Sequence, residues 1–272
     1  METAGQSNKG RFWRMKKLWK SKTIPAYFWM ALGVLALVTL WQLMSQVYSP
    51  IFVPSPGETL RAMLGLFSSP ESISTIYHTF YRVLLAQVFL IITGITVGIL
   101  AGFKPWLEQL LKPVKDVLMA IPPVALSLLV IFLFGGGTLQ TVMIAVALGF
   151  PLLFSATVTA VRSVDRDLLE MFGAFKVAKA VQLWEGFLPA VIYSVLPNIL
   201  LAAGLTVRLI VLAEIIVGMN IGVGQALSIA RVHLATEDIF AWLLLMAAAV
   251  LIIEGGLLHL VKRNLLKWQA GR

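Results

Sequence analysis

The 272-residue chain contains no cysteine, three histidines and only 13% charged residues. The missing cysteines exclude a disulfide framework, a thiolate metal site and a cysteine nucleophile. His78, His233 and His259 are too widely spaced along the chain to suggest a metal cluster. Also absent are a G-x-x-x-x-G-K-[ST] nucleotide loop, an H-E-x-x-H pair, a G-x-S-x-G elbow and a dinucleotide fingerprint, so any energy from nucleotide hydrolysis must come from a partner. The charged share is about half that of a soluble protein. In its place the chain is 59% hydrophobic with a mean hydropathy of +0.88, the composition of a membrane protein.

A helix rising ~1.5 Å per residue needs roughly 20 apolar residues to cross a ~30 Å hydrocarbon core. Six stretches meet that length: 27–47, 83–103, 114–134, 138–161, 190–217 and 240–261. The fold expected is an all-α membrane domain over 27–261, between a basic segment, 1–26, and a basic tail, 262–272. The net charge of +9 is first a matter of topology. With the N-terminus inside, 18 of the 22 basic residues fall in cytoplasmic pieces. Arg61, Arg231 and Arg82, the last at a helix mouth, are left outside, and Arg208 within a span. The asymmetry predicts a multi-pass membrane protein with both termini cytoplasmic, and it disfavours nucleic acid as a partner. The first span lacks a cleavage site and reads as a retained anchor. The aromatic and basic run FWRMKKLWK (12–20) suits either an interfacial helix or an orienting flank.

Within the outer segment 48–81, Ser55-Pro56-Gly57-Glu58 forms a capping box. Leu60, Met63, Leu64 and Phe67 then follow at helical spacing, which predicts a short amphipathic helix. Gly94, Gly98 and Gly102 recur every four residues, a stripe without side chains that fits an internal packing seam or a subunit interface. The cytoplasmic loop 162–188 is charged, yet it keeps Leu168, Leu169, Phe172, Phe175, Leu183, Trp184 and Phe187. That apolar set predicts a surface helix offering a contact face to a cytoplasmic partner, or a helix packed on its own bundle.

Intramembrane charge is costly and faces protein or water. Residue counting puts Arg208 in the outer half of its span and Glu254 in the inner half of the last, so the two are not expected to pair. Arg208 and Glu214, six residues apart, are not placed for an i,i+4 bridge. Arg208 fits either a bundle salt bridge or attraction of an anionic solute along a pathway. Arg208 and Glu214 are the pathway candidates.

FVPSPGETL (52–60), LFGGGTLQT (133–141) and FPLLFSATVTAVRSVDRDLLE (150–170) resemble segments of the membrane permeases of binding-protein-dependent ABC importers, in the branch that includes nitrate, sulfonate and taurine systems. The likeness runs over nearly the whole chain after residue 25. The family's loop signature, EAA, three residues, G, nine residues, I-x-L-P, fits without a gap when Glu170 is its Glu and Leu188-Pro189 its L-P. Glu214 then takes the acidic position near the end of the fifth helix, Gly222-x-Gly224 the following turn, and LLKW (265–268) the tail. The two Ala positions hold Met171 and Phe172, and the Gly position holds Lys176, with Gly173-Ala174 three residues early.

The resemblance implies a six-helix type I ABC importer permease fold whose loop is the coupling helix, with Asp167, Glu170, Gly173, Ala174, Lys176, Leu188 and Pro189 as the ATPase-coupling positions. It implies a transport subunit rather than an enzyme, with no cofactor in this chain and ATP and Mg bound by a partner ATPase dimer. A second permease copy or paralogue and an extracytoplasmic substrate-binding protein complete the expected assembly in the bilayer of a bacterial-type cytoplasmic (inner) membrane. Lys176, where close backbone approach would be expected, points to shifted docking or a matched ATPase. The implied substrate is a small anion such as nitrate, sulfonate or taurine, with a heterocyclic vitamin precursor or aromatic acid as the alternative. A non-transporting scaffold and a secondary carrier are the rivals; for the carrier, paired intramembrane acids and an inverted repeat are missing.

Overall fold

The computed structural model describes residues 26–49 and 51–265, with the side chains of 26, 166–169 and 257–265 excepted. The basic segment before residue 26, its FWRMKKLWK run and the tail from 266 lie outside the described residues. Every regular element among the described residues is helical, and the chain divides into two units, 1–56 and 57–272. In the first, α1 (Ala26–Val47) is apolar on all sides, as a helix solvated by lipid requires. The Trp41 indole donates to the Pro54 carbonyl at 3.0 Å, turning the following chain back along its own helix.

In the second unit α2 (Pro56–Leu66) is the short amphipathic helix at the capping box. The next helix, α3 (Pro70–Phe103), starts at Pro70, its Ser69 cap accepting from the Ser72 amide, and not at Val83. Its 34 residues are about 51 Å long at ~1.5 Å each. The hydropathic change at Val83 marks where the helix meets hydrocarbon, not where it begins.

Residues 114–134 do not form one straight span. α4 (Pro105–Ala120) and α5 (Pro123–Phe134) meet at 105°. Pro122 and Pro123 supply no amide hydrogens, and each drives the residue before it out of the helical region; Ile121 and Pro122 have ψ of 127° and 134°. A glycine turn then leads to α6 (Thr138–Arg162), with Gly135 at φ +76° and Gly137 at φ +156°.

After α6 come α7 (Arg166–Ala174) and the long helix α8 (Lys179–Val217), which passes through a π-helical turn at Gln182–Phe187. α9 (Val223–Val232) and α10 (Thr236–Leu265) complete the unit. α3 and α6 run parallel and nearly touch. A Cβ on Gly94, Gly98 or Gly102 would come within 2.8, 2.6 or 2.5 Å of Leu153, Thr157 or Val161, and one on Gly149 within 2.8 Å of Leu90. Two rows at four-residue spacing therefore interlock within one chain. Around this seam Val83, Ala86, Val142, Ile210 and Trp242 form one buried cluster, and Leu90, Leu153, Val191 and Val195 another. The ends of α3 and α6 and the start of α8 share one end of the bundle. It carries Lys104, Arg162, Lys176 and Lys179 and is called the basic end below.

Candidate functional site

Three polar constellations stand out from the apolar bundle. At the basic end, Glu170, Gly173, Ala174 and Lys176 lie on α7 and the turn after it, all exposed, while Leu188 and Pro189 continue α8 from its π-helical turn. Asp167 is on α7, but its side chain lies outside the described atoms. α7 closes with the Val177 amide on the Phe172 carbonyl at 3.0 Å and the Lys176 amide on the Gly173 carbonyl at 3.1 Å. That double closure needs a left-handed residue between helix and exit, and Lys176 supplies it at φ +50°. In this chain the residue at the signature's Gly position is thus the left-handed residue of the turn. Lys176 is exposed, so its side chain enters no tight space, and its backbone strain is on the order of 1 kcal/mol.

Phe172 and Gly186 explain a second departure. In the signature frame they occupy a small-residue position and the isoleucine position. Here the Phe172 ring lies where a Cβ on Gly186 would be, so bulk lost on one element is restored from the other. Met171, Phe175, Leu183 and Trp184 remain 45%, 77%, 45% and 67% exposed around this joint. Nearby, Arg162 at the end of α6 pairs with Glu108 of α4.

At the opposite end, Glu214 is fully buried. Arg82 Nη1 donates to its Oε1 at 2.5 Å and also to the Ile221 carbonyl at 2.8 Å. Thr79 Oγ1 lies 2.9 Å from both carboxylate oxygens and accepts from the Val223 amide at 2.8 Å, while the Gly224 amide donates to Oε2 at 2.9 Å. Arg82 Nε reaches Thr138 Oγ1 at 3.3 Å. One carboxylate therefore ties α3, α8 and the start of α9 together, and through Arg82 the start of α6. The turn approaches so closely that a Cβ on Gly224 would fall 2.5 Å from the Glu214 Cβ. Arg82 is only 2% exposed. Its place just before an apolar run reads as a helix mouth, and Thr79 carries no sequence signal. The usable signal was the pair of lone opposite charges near the same ends of two long apolar helices.

Arg208 and Glu254 form the third constellation and correct the expectation that they stay apart: Nη2 lies 3.4 Å from Oε1. Counting from helix ends failed because those ends are not level. Glu254 packs on Gly204, where a Cβ would collide with it. Gly204 lies 13 residues before the end of α8, and Glu254 18 residues after the start of α10. α10 therefore begins about five residues, or ~7 Å, beyond the end of α8, and Arg208, one turn from Gly204, bends back to the carboxylate. The Arg208 side chain is still 62% exposed, on the rim of a cavity of about 430 Å³ whose other walls, among them Val211, Met246 and Leu251, are apolar. Among the described residues no group of three His, Asp or Glu side chains is placed to hold a metal ion.

The sequence model of the family described as "Binding-protein-dependent transport system inner membrane component" matches residues 94–265. The taurine transport system permease protein TauC of Escherichia coli (strain K12) is 28% identical over 249 residues, covering 88% of this chain and 89% of TauC. The putative aliphatic sulfonates transport permease protein SsuC of Bacillus subtilis (strain 168) is 29% identical over 250 residues, 89% of each chain. Among solved structures, an inward-facing form of the MetNI methionine ABC transporter matches with a TM-score of 0.60 at 14% identity, over 70% of this chain and 94% of that one.

Proposed function

The chain belongs to the family of binding-protein-dependent transport system inner membrane components, and from that premise we propose that it forms the pathway for a small oxyanion of the aliphatic sulfonate class, driven by a separate ATPase through α7. As a member it is a multi-pass permease of an ABC importer with the type I permease fold, a transport component and not an enzyme. In the proposed assembly the basic end faces the cytoplasm and meets an ATPase dimer that holds ATP and Mg. A second copy or a paralogue of this permease closes the pathway. A substrate-binding protein docks outside near residues 48–81 and 218–238.

The observation that carries the coupling role is the joint between α7 and α8. Phe172 bears directly on the Gly186 backbone with no side chain between, so a push on the exposed face of α7 passes to the 39-residue helix α8 without slack. Arg208 supports the substrate class: it lies within the apolar stretch 190–217, and its side chain stands exposed on that same helix. Glu214, consumed in its buried network, acts in this reading as a structural clasp.

Glu170→Lys reverses the charge of an exposed α7 residue and is expected to lower ATPase copurification and uptake at least about tenfold, with the solubilised permease as thermostable as the parent. Normal ATPase stoichiometry and uptake in that variant would remove α7 as the docking element. Arg208→Met is expected to depress sulfonate uptake in liposomes at unchanged expression; equal uptake returns Arg208 to a bundle salt bridge.

A further inference from the structure

Two cavities away from these constellations adjoin along α6. The first, about 540 Å³, lies between α4, α6 and α8, and its polar lining comes from Ser155, Thr159, Ser194 and Asn198. The second, about 550 Å³, opens at the basic end and carries Lys112, Lys115 and Arg162 against one carboxylate, Glu108. Ser155 and Thr159 line both. Together the cavities make one groove along α6, from Arg162 at the basic end to Leu148 about four helical turns away.

Polar side chains inside an apolar span are expensive unless paired. Thr159 donates to the Ser155 carbonyl of its own helix, but the side chains of Ser155, Ser194 and Asn198 make no hydrogen bond within the described residues. Ser155 and Asn198 are half-buried and Ser194 is exposed, so three unpaired hydrogen-bonding groups converging on one cavity are open there to water or a solute. Ser, Thr and Asn donate readily to an oxyanion, and the first cavity has no carboxylate in its lining. At the mouth, Arg162 pairs with Glu108 and Lys115 with Asp116 at 3.4 Å, while Lys112 has no carboxylate within ion-pairing distance among the described residues. The groove thus passes from neutral donors to net positive charge.

We propose that this groove is an anion vestibule: it holds a small oxyanion, a sulfonate or carboxylate, on Ser155, Thr159, Ser194 and Asn198, with Lys112 and Lys115 drawing it to the mouth. The substrate class rests on the function proposed above; the vestibule itself does not. The same chemistry would suit a lipid phosphate headgroup, which the test separates.

Because the chain has no cysteine, Thr159→Cys introduces its only thiol. In membranes containing the whole transporter, this variant is reacted with a methanethiosulfonate carrying a sulfonate and with its trimethylammonium counterpart, each rate divided by that reagent's rate with a free thiol in solution. The expected preference for the sulfonate is on the order of fivefold, falling to about one when Lys112→Gln and Lys115→Gln are added. Ser194→Cys repeats the measurement on the facing helix should Thr159→Cys fail to assemble. Absence of reaction at both positions, equal normalised rates, or a preference indifferent to the two lysines would each overturn the vestibule. So would a preference that collapses when phosphatidylglycerol is added to zwitterionic vesicles, which assigns the groove to lipid. Sulfonate uptake that fails while the labelling preference persists strikes only the substrate reading. Uptake that persists without the preference strikes only the vestibule.

Discussion

At the scale of single residues, Arg82 and Glu214 are the largest electrostatic commitment in the described bundle. Both are buried, and the carboxylate also accepts from Thr79 and the Gly224 amide. Removing one member leaves an uncompensated buried charge, which costs about 3–5 kcal/mol, whereas replacing both with apolar groups of similar volume is often nearly neutral. Arg82→Met and Glu214→Leu are therefore each expected to be strongly destabilising. The pair together should lose far less than the sum, as unfolding free energies in mixed micelles, arranged as a double-mutant cycle, will reveal; additive losses would mean that the two side chains act independently. Glu214 was legible in the sequence as an intramembrane acid, but its partner was not, since hydropathy assigns Arg82 to a helix mouth. Arg208 and Glu254 fail for a related reason. Depth counted in residues assumes level helix ends, and only the tertiary arrangement shows α10 starting beyond α8.

At the scale of elements, periodicity and length carried far where a segment is uniform and less far where two signals compete. The short helix α2 follows from its capping box and spacing, and the glycine stripe of α3 announces a close approach without saying that α6 makes it. The 114–134 run has the length and hydropathy of a span, yet two consecutive prolines within it force extended backbone, and the 105° bend wins over composition. In the loop 162–188 the signature frame picks out Glu170 and Leu188-Pro189, but only the packed structure reveals that Phe172 fills the space above Gly186. Gly186→Ile should overpack this joint and Phe172→Ala should loosen it, each costing about 1–3 kcal/mol locally and reducing ATP-driven uptake several-fold. The double variant restores a small residue at 172 and a branched one at 186. It is expected to recover most of the uptake, and a double variant no better than the worse single one would show that the ring does more than fill space.

At the scale of the whole molecule, the same few charges distinguish the two ends of the bundle. A chain with 59% hydrophobic residues and 13% charged ones uses most of its cations where they need not enter hydrocarbon, so the ends of the spans differ sharply in sign. α3 and α6 deliver Lys104 and Arg162 to the end from which α8 departs with Lys176 and Lys179, and the buried Arg82–Glu214 pair sits at the other. Cations near span ends are retained on the cytoplasmic side. On the proposed orientation the basic end, with α7 and the groove mouth, is expected to face the cytoplasm, and α2 and α9 the outside. Single cysteines test this directly in a chain that has none. Lys179→Cys should react with a membrane-impermeant maleimide in inverted vesicles and resist it in intact spheroplasts, and Ser68→Cys, exposed before α3, should do the reverse. Both positions reacting from one side would contradict a helix path that carries the chain across the membrane between them. The reverse pattern at both would place α7 away from any cytoplasmic ATPase, and the proposed coupling would fail with it.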